Sequence, residues 1–533
     1  GPAQPVLDRL EANKEVLDTW TGELYLEVHR GVLTTQAETK RLNRRIEEVL
    51  KATEEICVRN AFDAYPTKEL DEIWKMMLLN QFHDIIPGSS IQWVYDVTEK
   101  ELNDGLEACQ KLIRQALGVK GERNCLTLIN PSCYTFDDLI TLPEGWDGAK
   151  SEGVSLPGLK SAQGTRVRVQ LPAHGSLILE TDTGLTEGEQ DNQLVLENSL
   201  VSYTFDQNLQ LIKAFDKVLE RDLLASKCSG NAISLYEDRP HNWDAWEVDE
   251  WYLDSLLEQA KVKGTVTRAQ NDSFGTLEAD LQIGNSKFRQ RITLKEGSAR
   301  LDFETWIDWQ EKHKMLRVGF PTVYDVDHAS FEIQYGTVQR LTRRNSLADV
   351  AKFEVCGHRY ADLSRNDSGL ALLSDSKYGY RVVDGLLDLN LLRSPTYPDP
   401  EADLGEHHFT YALFPHEGNL SSSSSVRAQA TMLNQGLTIV EGKAELPELP
   451  FSLEGEGLEM GAIKKAEKED AIIIRIVETR GLPTRGKVHA KGMTLVPTNL
   501  LEWDDELSSK QTDEIELDLS PFEIFTLKIL PEA

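Results

Sequence analysis

The sequence predicts an α+β chain, with an N-terminal three-helix bundle followed by predominantly antiparallel β-sandwich domains. Three observations carry this expectation. Between Thr35 and Leu117, apolar residues recur at helical spacing in three stretches separated by short turns. After Gly118 the texture changes to short alternating or β-branched runs punctuated by Gly, Asn, Asp and Pro. The length, 533 residues, is too great for one ordinary domain, so several cores are expected.

Residues 1–35 are mixed and read as a linker and loop, with Glu23–Gly31 a short extended piece ending in a glycine turn. The bundle is expected over 36–118. Its first helix runs from Thr35 to about Asn60, with Leu42, Ile46, Val49 and Ile56 on one face. Thr35 and Glu38 have the spacing of a capping box. The second helix covers about Thr67 to Phe82, with Ile73, Met76, Met77 and Leu79 as its apolar face, and Pro87-Gly88 stops any continuation. Ser89 or Ser90 then caps a third helix over about Ile91 to Leu117.

A small β domain is expected over 119–185, a large sandwich over 186–430 and a C-terminal β domain over 431–533. Candidate strands include Cys125–Ile129, Thr165–Leu171, Ser176–Glu180 and Leu194–Phe205. Further ones are Gly264–Arg268, Lys287–Leu294, Arg300–Asp308, Ile472–Ile476, Lys487–Leu495 and Phe522–Ile529. The serine run Ser421–Ser425 reads as a solvated loop.

Composition narrows the function classes. Hydrophobic content is 40% and charged content 27%, near the average for soluble globular chains. No apolar run approaches the roughly 20 residues needed to span a bilayer. The opening GPAQPVLDRL lacks the basic and apolar regions of a signal peptide. A formal net charge of -31 repels phosphate backbones and anionic lipids, which excludes nucleic acid and membrane surfaces as partners. A neutral substrate such as a sugar is indifferent to that field. The six cysteines form no CxxC, a pattern of free thiols in a reducing, cytoplasmic compartment. Large acidic multidomain chains are often oligomers, so a homo-oligomer is admitted, though no segment marks an interface.

His83-Asp84 is the main chemical candidate. The pair sits where a helix gives out before a Pro-Gly turn, a place that can aim two polar side chains into a cleft. Imidazole is a common transition-metal ligand. No HExxH and no His/Cys cluster accompanies it. Trp243 and Trp246, three apart, face opposite sides if the segment is a strand, which points to core. The neighbouring Asp244 is better suited to reach a sugar. His407 and His408 likewise oppose each other on a strand and cannot chelate together, and with His416 they read as structural or interface residues. His29 and Arg30, beside Gly31, suit either a substrate-facing or a domain-docking role.

The string NQFHDIIPGSSIQWVYDV (Asn80–Val97) resembles the metal-ligand segment of family 38 glycoside hydrolases, the class II α-mannosidases. ELYLEVHRGVLTTQAETKRLNRR (Glu23–Arg45) resembles the loop and first bundle helix of that family. LYEDRPHNWDAWEVDEWY (Leu235–Tyr252), RYADLSRNDSGLALLSDSKYGY (Arg359–Tyr380) and LLRSPTYPDPEADLGEHHFTYALFPHEG (Leu391–Gly418) resemble its cytosolic-type subgroup. The resemblance implies His83 as a ligand of zinc or another divalent metal, one per complete site. It implies Asp84 as a sugar contact, with His29, Arg30 and Asp244 as further substrate-binding candidates.

In that family an N-terminal α/β barrel supplies a His-x-Asp metal pair, an aspartate nucleophile and an acid/base carboxylate. No residue here matches them, so no catalytic residue is assigned, and the chain resembles the C-terminal part of such an enzyme. The missing barrel is then its partner, covalent or separate. The chemistry implied is retaining hydrolysis of terminal α-mannosyl residues of oligosaccharides or mannosides. The alternative is a non-catalytic carbohydrate-binding or scaffolding β-sandwich protein. A glycoside phosphorylase is disfavoured because its helical catalytic barrel has no counterpart.

Overall fold

The computed structural model describes residues 1–119, 124–161, 164–183, 189–191, 193–503 and 511–531. Helix α1 (Gln4–Ala12) buries none of its residues. Helices α2 (Ala37–Asn60), α3 (Thr67–Asn80) and α4 (Gln92–Leu117) form the bundle. Leu42, Ile46 and Leu50 of α2 pack against Leu70, Ile73 and Met77 of α3 and Leu102, Cys109 and Leu112 of α4. Gly105 permits the close approach of α4. A Cβ there would lie 2.6 Å from Met76 Cε and 2.7 Å from Ile46 Cδ1.

The helix starts differ from the sequence expectation. Thr35 and Glu38 form no capping box. Instead Gln36 takes a left-handed conformation, φ 60°, and Thr35 Oγ1 donates to Gly31 O (2.9 Å). Asp403, from the large sandwich, caps α2 across the domain boundary. Its carboxylate accepts from Gln36 N (2.8 Å) and Ala37 N (2.6 Å). Ser89 and Ser90 do not cap α4 either, because both hydroxyls turn back to Asp84.

The large domain is built on two large antiparallel sheets, with a smaller four-stranded one over 195–222 sharing their core. One has ten strands, with Leu301–Trp309 and Gly405–Glu417 paired near its middle. The other has six and includes Lys314–Pro321 and Leu386–Arg393. Phe303 of the first sheet meets Phe320 of the second at 5.6 Å, in a core shared with Tyr411, Trp309 and Leu316. The expected single strand over Leu194–Phe205 is a hairpin, Val195–Glu197 and Val201–Phe205. Asn198 Oδ1 accepts from Leu200 N and Val201 N, and this side-chain turn breaks the run. Helix α5 (Leu347–Ala351) is a short turn capped by Ser346. Helix α6 (Ser425–Gln435) follows the serine loop and packs Val426 and Ala430 near Tyr360 and Phe414.

The small β domain does not close within the expected boundary. Strand Thr438–Glu441 pairs antiparallel with Cys125–Ile129, and Met432 and Leu437 join its core. The C-terminal sheet contains Leu458–Lys465, Ile472–Glu478, Thr484–Thr498 and Ile524–Pro531. Its core takes in Val58 of α2. Cys57, Cys109, Cys133, Cys228 and Cys356 are free thiols, and no described helix is long and apolar enough to cross a membrane.

Candidate functional site

The chain between α3 and α4 folds into a tight turn built around Asp84. Its carbonyl accepts from Ser90 Oγ (2.9 Å) and Tyr95 OH (3.3 Å), and its Oδ1 accepts from Ser89 Oγ (2.8 Å). Gly88, at φ +92°, lets this turn lie against Thr35, whose carbonyl oxygen would be 2.6 Å from an added Cβ. His83 projects from the turn with a 74% exposed side chain, its Nε2 3.3 Å from Asp84 Oδ2.

Opposite lies the 23–33 segment. Just after that segment, Thr35 is tied to the turn by Lys40, whose buried ammonium donates to Ile86 O (2.7 Å) and to Thr35 O. Burial pushes the Lys40 pKa down to about 7. Between the segments is a cleft of about 600 Å³ that brings together His29, Arg30, His83, Asp84 and Trp246.

Residues 243–247 form a turn rather than the strand expected. Trp246 N and Glu247 N both donate to Trp243 O, at 2.8 and 2.9 Å. In a turn, residues three apart fall on the same side, so the two tryptophans meet, their rings tilted by 35°, instead of opposing each other. Their ring centroids are 5.7 Å apart, and His29 stacks on Trp246 at 4.9 Å. Trp243 is 61% exposed and forms the outer end of this ladder. The expectation that both rings are core is corrected by that geometry.

Arg393, fully buried at the end of its strand, holds the turn in place. It donates to Ala245 O (3.0 Å), Asp244 O (2.6 Å), Glu247 O and Asp238 Oδ2 (2.6 Å). Its hub role carries no signature beyond a buried cation needing several acceptors.

The comparisons with known proteins agree on one lineage. Family profiles match residues 27–119 (alpha mannosidase middle domain), 196–401 (glycosyl hydrolases family 38 C-terminal domain) and 458–527 (glycosyl hydrolases family 38 C-terminal beta sandwich domain). Alpha-mannosidase 2C1 of Mus musculus is 31% identical over 548 residues, covering 98% of this chain and 52% of the relative. The chain belongs to glycoside hydrolase family 38.

Alpha-mannosidase G of Dictyostelium discoideum is 30% identical over 596 residues, covering 99% of this chain and 54% of that protein. The crystal structure of an alpha-mannosidase from Enterococcus faecalis V583 shares the fold, with a TM-score of 0.76 at 16% identity, covering 98% of this chain and 71% of that one. The family 38 chain described here thus spans about half the length of the curated relatives it matches.

Within this family 38 chain the expected site residues divide. His29, His83 and Asp84 meet in the cleft. Arg30 also lines it, but its guanidinium is engaged inside the chain, bidentate on Glu247 (2.9 and 3.0 Å) and on Ala351 O. Asp244 lies outside the cleft lining, and its Oδ2 accepts from Thr396 N (2.5 Å) and Thr396 Oγ1 (3.2 Å). The histidines of the Gly405–Glu417 strand have separate partners. His407 reaches Asp403 O, His408 stacks on Trp306, and His416 pairs with Asp362.

A metal is only partly provided for. Among the described residues no group of three His, Cys, Asp or Glu side chains is placed to hold an ion. His83 and Asp84 offer two donors where a structural or catalytic zinc takes at least three from protein. The residues present do not complete a metal site.

Proposed function

We propose that this chain closes one side of the sugar site of a metal-dependent, retaining α-mannosidase. In this reading the catalytic carboxylates and the remaining metal ligands lie on a barrel domain beyond these 533 residues, joined covalently or as a separate subunit. The observation that carries it is the convergence of His29, His83, Asp84 and Trp246 on one cleft.

Two of the three carboxylates that line the cleft, Glu23 and Glu354, support this division. Retaining hydrolysis needs one carboxylate free to attack the anomeric carbon and another to protonate the leaving oxygen. Glu23 is instead clamped by Arg340 (2.6 and 2.8 Å), and Glu354 by Arg317 (2.9 and 3.0 Å). The hydrogen bond from Arg340 holds the Glu23 carboxyl below its ordinary range, so it stays a charged partner rather than a proton donor. His83 would serve as one ligand of a zinc or other divalent ion, and Asp84 as acceptor for sugar hydroxyls. Terminal α-mannosyl residues as substrate are supported by the names of the relatives. A cytoplasmic location is supported by the free thiols of Cys57, Cys109, Cys133, Cys228 and Cys356.

The test uses the isolated chain and the complete protein. The isolated chain is expected neither to turn over an aryl α-mannoside nor to retain zinc in equilibrium dialysis. Chelator-sensitive turnover by the isolated chain sinks the proposal. In the complete protein, His83→Ala is expected to lower metal content and activity together.

A second reading, a carbohydrate-binding protein without catalysis, is favoured by the exposed Trp243–Trp246–His29 ladder, whose faces suit a pyranose ring. It requires the isolated chain to bind a mannooligosaccharide, with affinity lost in Trp243→Ala.

A further inference from the structure

Helix α2 carries a second pattern besides its apolar face. Lys40, Arg44, Glu47 and Lys51 recur at spacings of 4, 3 and 4, which places them on one stripe. A charged stripe ordinarily faces water. Here it faces a cavity of about 670 Å³ between the bundle, both larger β domains and the small one. Charges in such a place need partners.

On the stripe Lys51 has an ion pair, and on the facing walls Arg359 and Arg427 do. Lys51 pairs with Glu48 at 2.9 Å, Arg359 with Glu332, and Arg427 with Glu332 (3.2 Å) and Glu459. Arg44 does not. It is 5% exposed, and no described carboxylate forms an ion pair with it. Its Nε donates to Tyr378 OH (3.1 Å) and its Nη1 to Asn434 Oδ1 (2.9 Å), while its Nη2 has no acceptor.

Two neutral donors stand beside it on the same wall. Tyr378 lies under the guanidinium, 4.8 Å from ring centroid to Cζ, and accepting from Arg44 leaves its own hydroxyl hydrogen to donate. His358 packs edge-on against Tyr378 at 5.4 Å. Burial and the Arg44 charge push its pKa down to about 4, so it is a neutral imidazole with one N–H at neutral pH.

We propose that this interdomain cavity binds a small molecule bearing a phosphate or carboxylate group, anchored on Arg44 with Tyr378 and His358 as further donors. An unpaired guanidinium hydrogen, a phenol and an imidazole N–H match an oxyanion with several acceptor oxygens. The volume exceeds that of a bare inorganic anion and falls in the range of metabolite sites, roughly 300–1,000 Å³. Because the whole chain carries a net charge of -31, the affinity must come from these local contacts and not from a general field. A ligand here touches elements of several domains and stabilises their assembly by linkage. The cavity adjoins the His83 cleft, sharing Val32, Leu33, Pro87 and Cys356 as a wall, but Arg44, Tyr378 and His358 line it alone, and the proposal does not depend on the mannosidase reading.

The test is calorimetric titration of the 533-residue chain with inorganic phosphate, and separately with citrate, at constant ionic strength. Saturable one-site binding of either anion is expected, and the arm that binds assigns the ligand class. Arg44→Gln is expected to weaken that binding roughly tenfold or more, as for loss of a charged hydrogen bond. Arg44→Lys should retain part of it. Should Arg44→Gln not fold, the His358 titration followed by NMR in the wild-type chain is the alternative readout, and it should move upward on saturation. Absence of saturable binding of both anions to the wild-type chain overturns the proposal. Binding that Arg44→Gln keeps at full strength also overturns it, as does a His358 titration unmoved at saturation.

Discussion

Arg393 Nη1 donates to Thr35 Oγ1 at 3.0 Å, joining two residues 358 positions apart in sequence. The contact pins the last residue of a sandwich strand to the turn that launches the bundle. Gly31 is part of the same fit, since a Cβ there would lie 2.3 Å from Arg393 Nη1. Arg393→Met leaves Asp238 buried without its cation and frees the 243–247 turn. Loss of about 3–5 kcal/mol is expected, as for breaking a buried pair. Urea unfolding measures it, and the near-ultraviolet signal of Trp243 and Trp246 should change with it. Arg393→Met with Asp238→Asn should recover part of the loss. An unchanged unfolding midpoint in the single variant would contradict the hub.

The cap on α2 offers a separate test. Asp403 accepts two backbone N–H groups that the helix cannot satisfy itself. Asp403→Ala is expected to cost about 1–2 kcal/mol, the range for a lost N-cap. Asp403→Asn keeps an acceptor and should cost less. Equal losses in the two variants would argue that the cap is not what Asp403 contributes.

At Gly105 the bundle leaves no room for a larger residue. Gly105→Val must displace Met76 Cε and Ile46 Cδ1, and a β-branched side chain also crowds the preceding turn. A destabilisation of about 1–3 kcal/mol is expected from overpacking. A variant as stable as the wild type would mean that α4 shifts freely on α2.

Acid stability should depend on Glu332. Burial pushes its carboxyl up, but Arg359 and Arg427 outweigh that and hold it at about 2, against 4.5 for the unperturbed group. The folded value is depressed, so the contribution is present above the unfolded pKa and disappears as pH falls from 4.5 toward 2. At neutral pH it is on the order of 3 kcal/mol, from about 1.4 kcal/mol per pKa unit. Glu332→Gln should therefore be less stable at pH 7, with a flatter decline below pH 4.5. Unfolding midpoints measured from pH 7 to pH 3 decide this. Parallel curves for the two proteins would reject it.

Much of the fold was legible because local patterns and tertiary packing agree. Helices α2 to α4 begin and end within about two residues of where their apolar spacing and the Pro87-Gly88 stop place them. The strand runs after Gly118 were legible for the same reason. What was not legible rests on contacts between distant segments. Thr35 and Glu38 satisfy a capping pattern, yet Asp403 takes the role, and no local rule sees a residue so far away. Asn198 interrupts the Leu194–Phe205 run with its own side-chain turn.

At the site, His83, Asp84 and His29 could be singled out from their sequence neighbourhoods. Trp243 and Trp246 were misplaced because the period of a strand was applied to a turn. The Trp-Asp-Ala-Trp string, short and flanked by His and Asn, was the available signal that the segment does not run as a strand. Lys40 carries no local signal, because a lysine on a helix is ordinarily solvated.

The strand borrowed by the small β domain has a consequence for how the chain is made. Thr127 Oγ1 donates to Gly442 O at 2.8 Å, across 315 residues of sequence. During synthesis the Cys125–Ile129 strand emerges long before its neighbour exists, so one side of it stays an open edge until the large sandwich has been translated. A product cut at residue 430 keeps that edge permanently, and an open edge is a template for association with other chains. The useful place to cut this protein for study therefore lies after residue 442 and not at the apparent end of the large domain.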